Sequence, residues 1–229
     1  MTRKRTLYIA LVGYGYWGPK LMRNFRNSAE FSVKYLIEKN PETVKQYQFS
    51  NPDVDVSKSY AEVLADDEVD CMVIASPPNT HFELAKQALM ADKHVLVEKP
   101  FTTSFNDALE LVELAKSRNK EIMVDLTFLH NPAVHAIKEI VQDQTSFGDL
   151  HYIDSVRINL GIFQSDVNVV WDLACHDISI FNYLLNELPL SVQAIGIDGS
   201  NNGIENIAYI HLKYANKFAH VNCSWSSPV

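Results

Sequence analysis

The sequence predicts an α/β fold: a doubly wound parallel sheet, followed by an α+β domain with a mainly antiparallel, open-faced sheet. Three observations carry this expectation. Over the first 125 residues, short apolar and β-branched runs alternate with helical patterns. Those runs are apolar throughout, as strands covered on both faces require. Beyond residue 130 the order changes to one helix, a long strand, a second helix and then consecutive strands with links as short as A-N-K, which mark antiparallel neighbours.

The elements follow in order. T-L-Y-I-A-L-V (6–12) reads as a strand, W-G-P-K-L-M-R-N-F-R-N-S as a helix, and F-S-V-K-Y-L-I (31–37) as the second strand. Pro41 suits the first turn of the next helix, where a missing N–H costs nothing. V-D-V (54–56), D-C-M-V-I-A (70–75), H-V-L-V (94–97) and E-I-M-V-D (121–125) complete six strands, with helices at S-Y-A-E-V-L-A, T-H-F-E-L-A-K-Q-A-L-M and F-N-D-A-L-E-L-V-E-L-A-K-S between them. Six strands so connected suit a Rossmann fold. N-P-A-V-H-A-I-K-E-I-V then predicts a helix, D-L-H-Y-I-D-S-V-R-I-N-L a strand, 171–186 a helix, and L-S-V-Q-A-I-G-I-D, N-I-A-Y-I-H-L-K-Y and K-F-A-H-V-N-C-S-W three strands. The expected domains are 1–127, a Rossmann unit, and 128–229, an α+β unit.

Composition narrows the function. The chain has 229 residues, 47% hydrophobic and 21% charged, enough to bury a core in one large or two modest domains. A formal net charge of −8 argues against a nucleic-acid partner, which calls for a basic face, without excluding a small anion held by a local field. No stretch reaches the ~18 apolar residues of a membrane span. The opening M-T-R-K-R is followed by glycines at 13, 15 and 18 with Trp17 and Pro19, which break the apolar segment a signal peptide needs. Cys71, Cys175 and Cys223 are odd in number and far apart, as reduced core thiols would be. The cytoplasm is the expected location, and no metal site is expected.

G-Y-G-Y-W-G (13–18) matches G-x-G-x-x-G between a strand and a helix, the setting of a dinucleotide fingerprint. Gly13 permits the tight turn, Gly15 lets backbone approach a pyrophosphate, and Gly18 allows close helix–strand packing, with Tyr16 and Trp17 between them. The phosphates would meet amide hydrogens at the helix start. Glu38, twenty positions after Gly18, is placed to accept ribose hydroxyls and to repel a 2′-phosphate, so NAD is expected rather than NADP. Lys39 beside it would soften that repulsion. S-P-P-N-T-H (76–81) falls at the carboxyl end of the fourth strand, where ligands of such sheets bind. Ser76, Pro77 and Asn79 line that loop; Asn79 also suits an N-cap for a helix starting near Thr80, and His81 suits either the cofactor pocket or a first helical turn.

E-K-P (98–100) ends the fifth strand at the same edge, and a residue before proline is held extended, so Lys99 projects from the strand end or is an ordinary surface lysine. In W-D-L-A-C-H-D, Asp172 and His176 stand four apart, on one helix face, able to touch each other or one ligand, or to be a solvated helix edge. Arg157 and Asn159 share a strand face by the period of two and suit a phosphate or sugar, or simply a polar sheet surface.

Together, G-Y-G-Y-W-G, S-P-P-N-T-H, V-E-K-P and W-D-L-A-C-H-D resemble, in order and over essentially the whole chain, the motifs of the Gfo/Idh/MocA oxidoreductases, the glucose–fructose oxidoreductase and inositol dehydrogenase family. The resemblance implies NAD(P)-dependent chemistry on a sugar-like secondary alcohol, with Glu98 and Lys99 at the cofactor, and Lys99, Asp172 and His176 as catalytic and substrate-binding residues. It implies a cis Lys99–Pro100 peptide and a homodimer or homotetramer through the second sheet. G-Y-W-G-P, R-N-F and D-V-N-V-V-W-D-L-A-C-H-D are similar to a nucleotide-sugar and polysaccharide-biosynthesis branch that includes UDP-N-acetylglucosamine 3-dehydrogenases. Ala174, Cys175, Ser179 and Lys20 depart from the pattern without removing a proton carrier. A free polyol such as inositol is the alternative substrate, and a non-catalytic dinucleotide-binding protein the alternative class. Family members continue with further strands and a closing helix, so the second domain is expected to be incomplete.

Overall fold

The computed structural model describes residues 5–57, 59–160 and 163–228; the opening M-T-R-K lies outside them. The chain divides into two compact units, Met1–Asp125 and Leu126–Val229.

The first unit contains β1 (Leu7–Val12), α1 (Gly18–Arg26), β2 (Phe31–Ile37), α2 (Pro41–Ser50), β3 (Asp55–Ser57), α3 (Tyr60–Leu64), β4 (Cys71–Ile74), α4 (His81–Met90), β5 (His94–Glu98), α5 (Phe105–Ser117) and β6 (Ile122–Asp125). The strands form one sheet in the order β3-β2-β1-β4-β5-β6, parallel throughout. This is the doubly wound arrangement, with its reversal of winding between β1 and β4. Each face is buried under helices. Ala10, Val12, Met72, Ile74, Val95 and Val97 pack with Ala85, Leu89, Leu111 and Ala115 on one side. On the other, Ile9, Leu11, Leu36 and Val73 pack with Leu21, Met22, Val44 and Tyr47. Helix starts are set locally: Asn40 accepts the Glu42 and Thr43 amides at 2.9 and 3.4 Å with Pro41 opening α2, and Ser104 accepts the Asp107 amide at 3.4 Å for α5.

The second unit contains α6 (Pro132–Gln142), β7 (Tyr152–Ile158), a π-helical turn (Val170–Ala174) running into α7 (Cys175–Leu185), β8 (Ser191–Ile197), β9 (Ile207–Lys213) and β10 (Phe218–Ser224). Its sheet has the order β7-β10-β9-β8. β8, β9 and β10 are antiparallel neighbours, but β7 runs parallel to β10. The mixed sheet follows from the route of the chain, since β7 is joined to β10 only through a long excursion containing α7, and such crossovers join parallel strands. Alternation along β9 buries Ala208, Ile210 and Leu212 against Phe181 and Leu173 of the helix, and leaves Tyr209 and His211 on the open face. Cys71, Cys175 and Cys223 are free thiols, and burial pushes the Cys71 and Cys223 thiols up to about 12. Among the described residues no helix is long and apolar enough to cross a membrane, and no group of three metal-ligating side chains is gathered.

Candidate active site

The fingerprint glycines have three separable roles. Gly13 has φ +91°, and a Cβ there would lie 2.6 Å from the Ala75 carbonyl oxygen, so the turn after β1 passes too close to the end of β4 for any side chain. A Cβ on Gly18 would lie 2.5 Å from the Gly13 oxygen. At Gly15 no described residue lies within 4 Å of a Cβ. The protein therefore has no packing reason for glycine at that position, whereas a pyrophosphate resting on the loop supplies one. The residues fit a dinucleotide.

Glu38, one residue beyond β2, is locked to this loop. Its Oε2 accepts the Tyr14 N–H at 2.7 Å, and its Oε1 accepts the Lys39 and Asn40 amides at 2.7 and 2.8 Å. Tyr16 and Trp17 are exposed, and the Lys20 ammonium rests 3.6 and 3.9 Å from their ring centres, a cation–π pair beside the loop.

At the end of β4, residues 78–80 form a 3₁₀ turn and Thr80, not Asn79, precedes α4. The expected Asn79 N-cap is thus corrected. The Pro77–Pro78 pair starts the tight turn early, so Asn79 sits within it on the surface, while Thr80 Oγ1 bonds the Pro77 carbonyl at 2.7 Å and the Ser76 hydroxyl at 2.6 Å. His81 occupies the first turn of α4 and is buried, with Nδ1 2.8 Å from the Pro100 carbonyl and Nε2 2.9 Å from that of Ser76. It thereby ties the S-P-P-N turn to the K-P turn. Lys99 follows β5 directly, half-buried, with a cis peptide to Pro100. Its N–H donates to Glu98 Oε2 at 3.3 Å. Burial, and then the negative charge of Asp125, push the Glu98 carboxyl up to about 7.

In the second unit, the Asn168 side chain opens the 170–185 helix by accepting the Val170 and Trp171 amides at 3.2 and 3.3 Å. Asp172 lies in the π-helical turn, whose hydrogen bonds span five residues, so a spacing of four no longer closes one turn. The Asp172 Oδ2 accepts the Trp225 indole N–H at 2.9 Å. His176 is 8% exposed, with its ring edge-on to Phe128 at 4.9 Å between centres. Arg157 points inward from β7: its guanidinium forms a two-pronged ion pair with Asp177 and lies 4.5 Å from the Phe128 ring centre. Ser155 donates to the same carboxylate at 2.5 Å. Asn159 lies one residue past the strand end and is exposed, its N–H given to the Ser224 carbonyl at 2.9 Å. The period-two pairing of Arg157 with Asn159 thus breaks at the end of β7.

Sequence reasoning missed Asp177, Phe128 and Trp225. The one legible signal was a second acid directly after His176, in a helix otherwise apolar enough to be buried.

A parallel sheet with a glycine loop and an acid bonded to that loop, followed by a second unit that buries Asp177 and His176 on one helix, is the architecture of a dinucleotide-binding domain joined to an α+β domain. Residues 7–126 match the model of the oxidoreductase family with an NAD-binding Rossmann fold, and residues 135–229 match the GFO/IDH/MocA C-terminal domain. The chain belongs to the Gfo/Idh/MocA oxidoreductase family, and its first unit is an NAD-binding domain. It is similar to an uncharacterized oxidoreductase of Streptococcus pneumoniae serotype 4, 26% identical over 225 residues covering 90% of this chain and 59% of that one. It is 31% identical over 131 residues to the UDP-N-acetylglucosamine 3-dehydrogenase of Acidithiobacillus ferrooxidans, covering 57% of this chain and 40% of that one. The chain therefore spans less than two thirds of these relatives' length. The crystal structure of GenD2 from gentamicin A biosynthesis, in complex with NAD, shares the fold with a TM-score of 0.92 and 22% identity, over 98% of this chain and 67% of that one.

Proposed function

We propose that the chain acts as an NAD-dependent oxidoreductase on a secondary alcohol of a nucleotide-linked sugar. The observation that carries this reading is the buried His176 on a helix whose Asp172 carboxylate is held by Trp225, in a family whose glycine loop is intact here. Bound NAD would accept the hydride of the carbinol carbon. His176 takes the hydroxyl proton, because imidazole titrates nearest neutrality, and returns it in the reverse direction. The Lys99 ammonium donates a hydrogen bond to the reacting oxygen and favours its alkoxide character. Asp172, fixed by the indole, accepts from a substrate hydroxyl or steadies the charged imidazole.

The sugar class is supported by two relatives, the UDP-N-acetylglucosamine 3-dehydrogenase and a dTDP-3,4-didehydro-2,6-dideoxy-alpha-D-glucose 3-reductase of Saccharopolyspora spinosa, 30% identical over 134 residues. The test is NADH formation with a panel of UDP- and dTDP-sugars beside free sugars and inositol. Turnover confined to the nucleotide sugars is expected. Turnover on inositol alone, or NAD binding without turnover on any of them, would overturn the assignment.

A further inference from the structure

Glu98 and Asp125 are in register at the carboxyl ends of β5 and β6. Register partners on parallel strands project to the same side of a sheet, so two carboxyl groups face each other there. Glu98 is 7% exposed, and its Oε1 is buried with no hydrogen-bond partner among the described residues. Its other oxygen receives the long Lys99 amide bond, and the Asp125 side chain comes within hydrogen-bonding reach of the carboxyl. Two facing carboxylates have no donor between them unless one holds a proton, and an ionised pair out of water repels strongly. The charged groups acting on Glu98 within its unit are Asp125, which opposes its ionisation, and Lys99, which assists it; the adjoining end of β4, Ile74-Ala75-Ser76, has no ionisable side chain.

The position of the pair gives the proton a consequence. Glu38 and the glycine loop place the adenosine half of a dinucleotide at β1 and β2, which leaves the second half of the sheet, β4 to β6, for the nicotinamide half. The nicotinamide ring carries a positive charge when oxidised and none when reduced. We propose that Glu98 and Asp125 share one proton, and that its loss makes this domain prefer oxidised over reduced dinucleotide. Protonated, the pair carries one negative charge; deprotonated, it carries two, and the added charge attracts the oxidised ring alone. The preference therefore grows as pH rises through about 7, where the Glu98 carboxyl titrates. The effect is roughly tenfold, the scale of one charge acting over about ten ångströms in a protein-like dielectric.

The test needs only binding. Dissociation constants of the whole chain for NAD⁺ and NADH are measured between pH 5.5 and 8.5 by calorimetry, and their ratio is plotted against pH. The expected result is a ratio moving toward NAD⁺ by roughly tenfold across neutrality. In Glu98→Gln it stays at the low-pH value, because Asp125 alone keeps one charge; in Asp125→Asn the transition moves to lower pH, because the repelling neighbour is gone. A flat ratio in the parent chain, or a transition kept in Glu98→Gln, would overturn the proposal. If either variant fails to fold, infrared spectroscopy of the parent chain with ¹³C-labelled glutamate decides: a protonated glutamic acid band persisting above pH 6 supports the shared proton, and its absence refutes it.

Discussion

The Glu38 carboxylate accepts the backbone N–H of Tyr14 at 2.7 Å, so this acid and the glycine loop are one hydrogen-bonded assembly rather than two motifs that happen to be near each other. Replacing Glu38 therefore does two things at once. Glu38→Ala removes the charge proposed to repel a 2′-phosphate and frees the Tyr14, Lys39 and Asn40 amides. We expect NAD affinity to fall about tenfold, the scale of a lost charged hydrogen bond, and the NAD-to-NADP preference to narrow. Fluorescence titration with both cofactors checks this; equal affinities in the parent chain, unchanged in the variant, would contradict it.

The glycines separate folding from binding. Gly15→Val meets open space, so its melting behaviour should stay within about 0.5 kcal/mol of the parent while NAD binding is lost. Gly13→Ala combines a positive φ with a carbonyl 2.6 Å away and should destabilise the domain by at least about 1 kcal/mol. Urea melts set against calorimetric titration distinguish the two outcomes.

His176→Ala should depress turnover by about 10²–10⁴-fold, the loss expected for a general base, and leave NAD affinity nearly unchanged. Steady-state kinetics on whichever alcohol of the substrate panel turns over, with cofactor titration alongside, measures both. A variant with parental turnover would return His176 to a packing role against Phe128.

Asp177 holds both the Arg157 guanidinium and the Ser155 hydroxyl. Asp177→Ala strands the Arg157 guanidinium and the Ser155 hydroxyl and should cost about 3 kcal/mol in urea denaturation. The double change Arg157→Met with Asp177→Leu, which removes both charges, should recover much of that loss. Additive losses would mean the two side chains are uncoupled.

The open face of the second sheet exposes Tyr152, Val156, Tyr209 and Phe218, with Tyr152 stacked on Phe218 and His220 between Tyr209 and His211. An apolar face of this breadth favours self-association. Light scattering at micromolar concentration should give a dimer or tetramer, and Val156→Lys with Phe218→Lys should shift it toward monomer.

Much of the first unit was legible in the sequence because its signals are local: unbroken apolar runs, a glycine triad at a strand end, Asn40 and Pro41 at a helix start. Asn79 misled because the same residue types serve both an N-cap and a 3₁₀ turn, and the choice rested on the two prolines before it. Four-residue spacing in W-D-L-A-C-H is α-helical arithmetic, and no local signal announces a π turn. The Arg157–Asp177 pair and the Trp225 bond to Asp172 join residues far apart in the chain, where no spacing rule reaches. The parallel direction of β7 was hidden for the same reason, since its neighbour comes from beyond two intervening strands.

That pairing sets an order of assembly. β7 gains its hydrogen-bonding neighbour only when Phe218–Ser224 has been synthesised, and the indole that fixes Asp172 comes from 53 residues downstream of it. Contacts so distant close late, after the entropy of a long loop has been spent. A ribosome-bound chain would thus complete its dinucleotide-binding half while Asp172 still lacked its indole partner, so cofactor capture can precede the closing of the Asp172–Trp225 bond during synthesis.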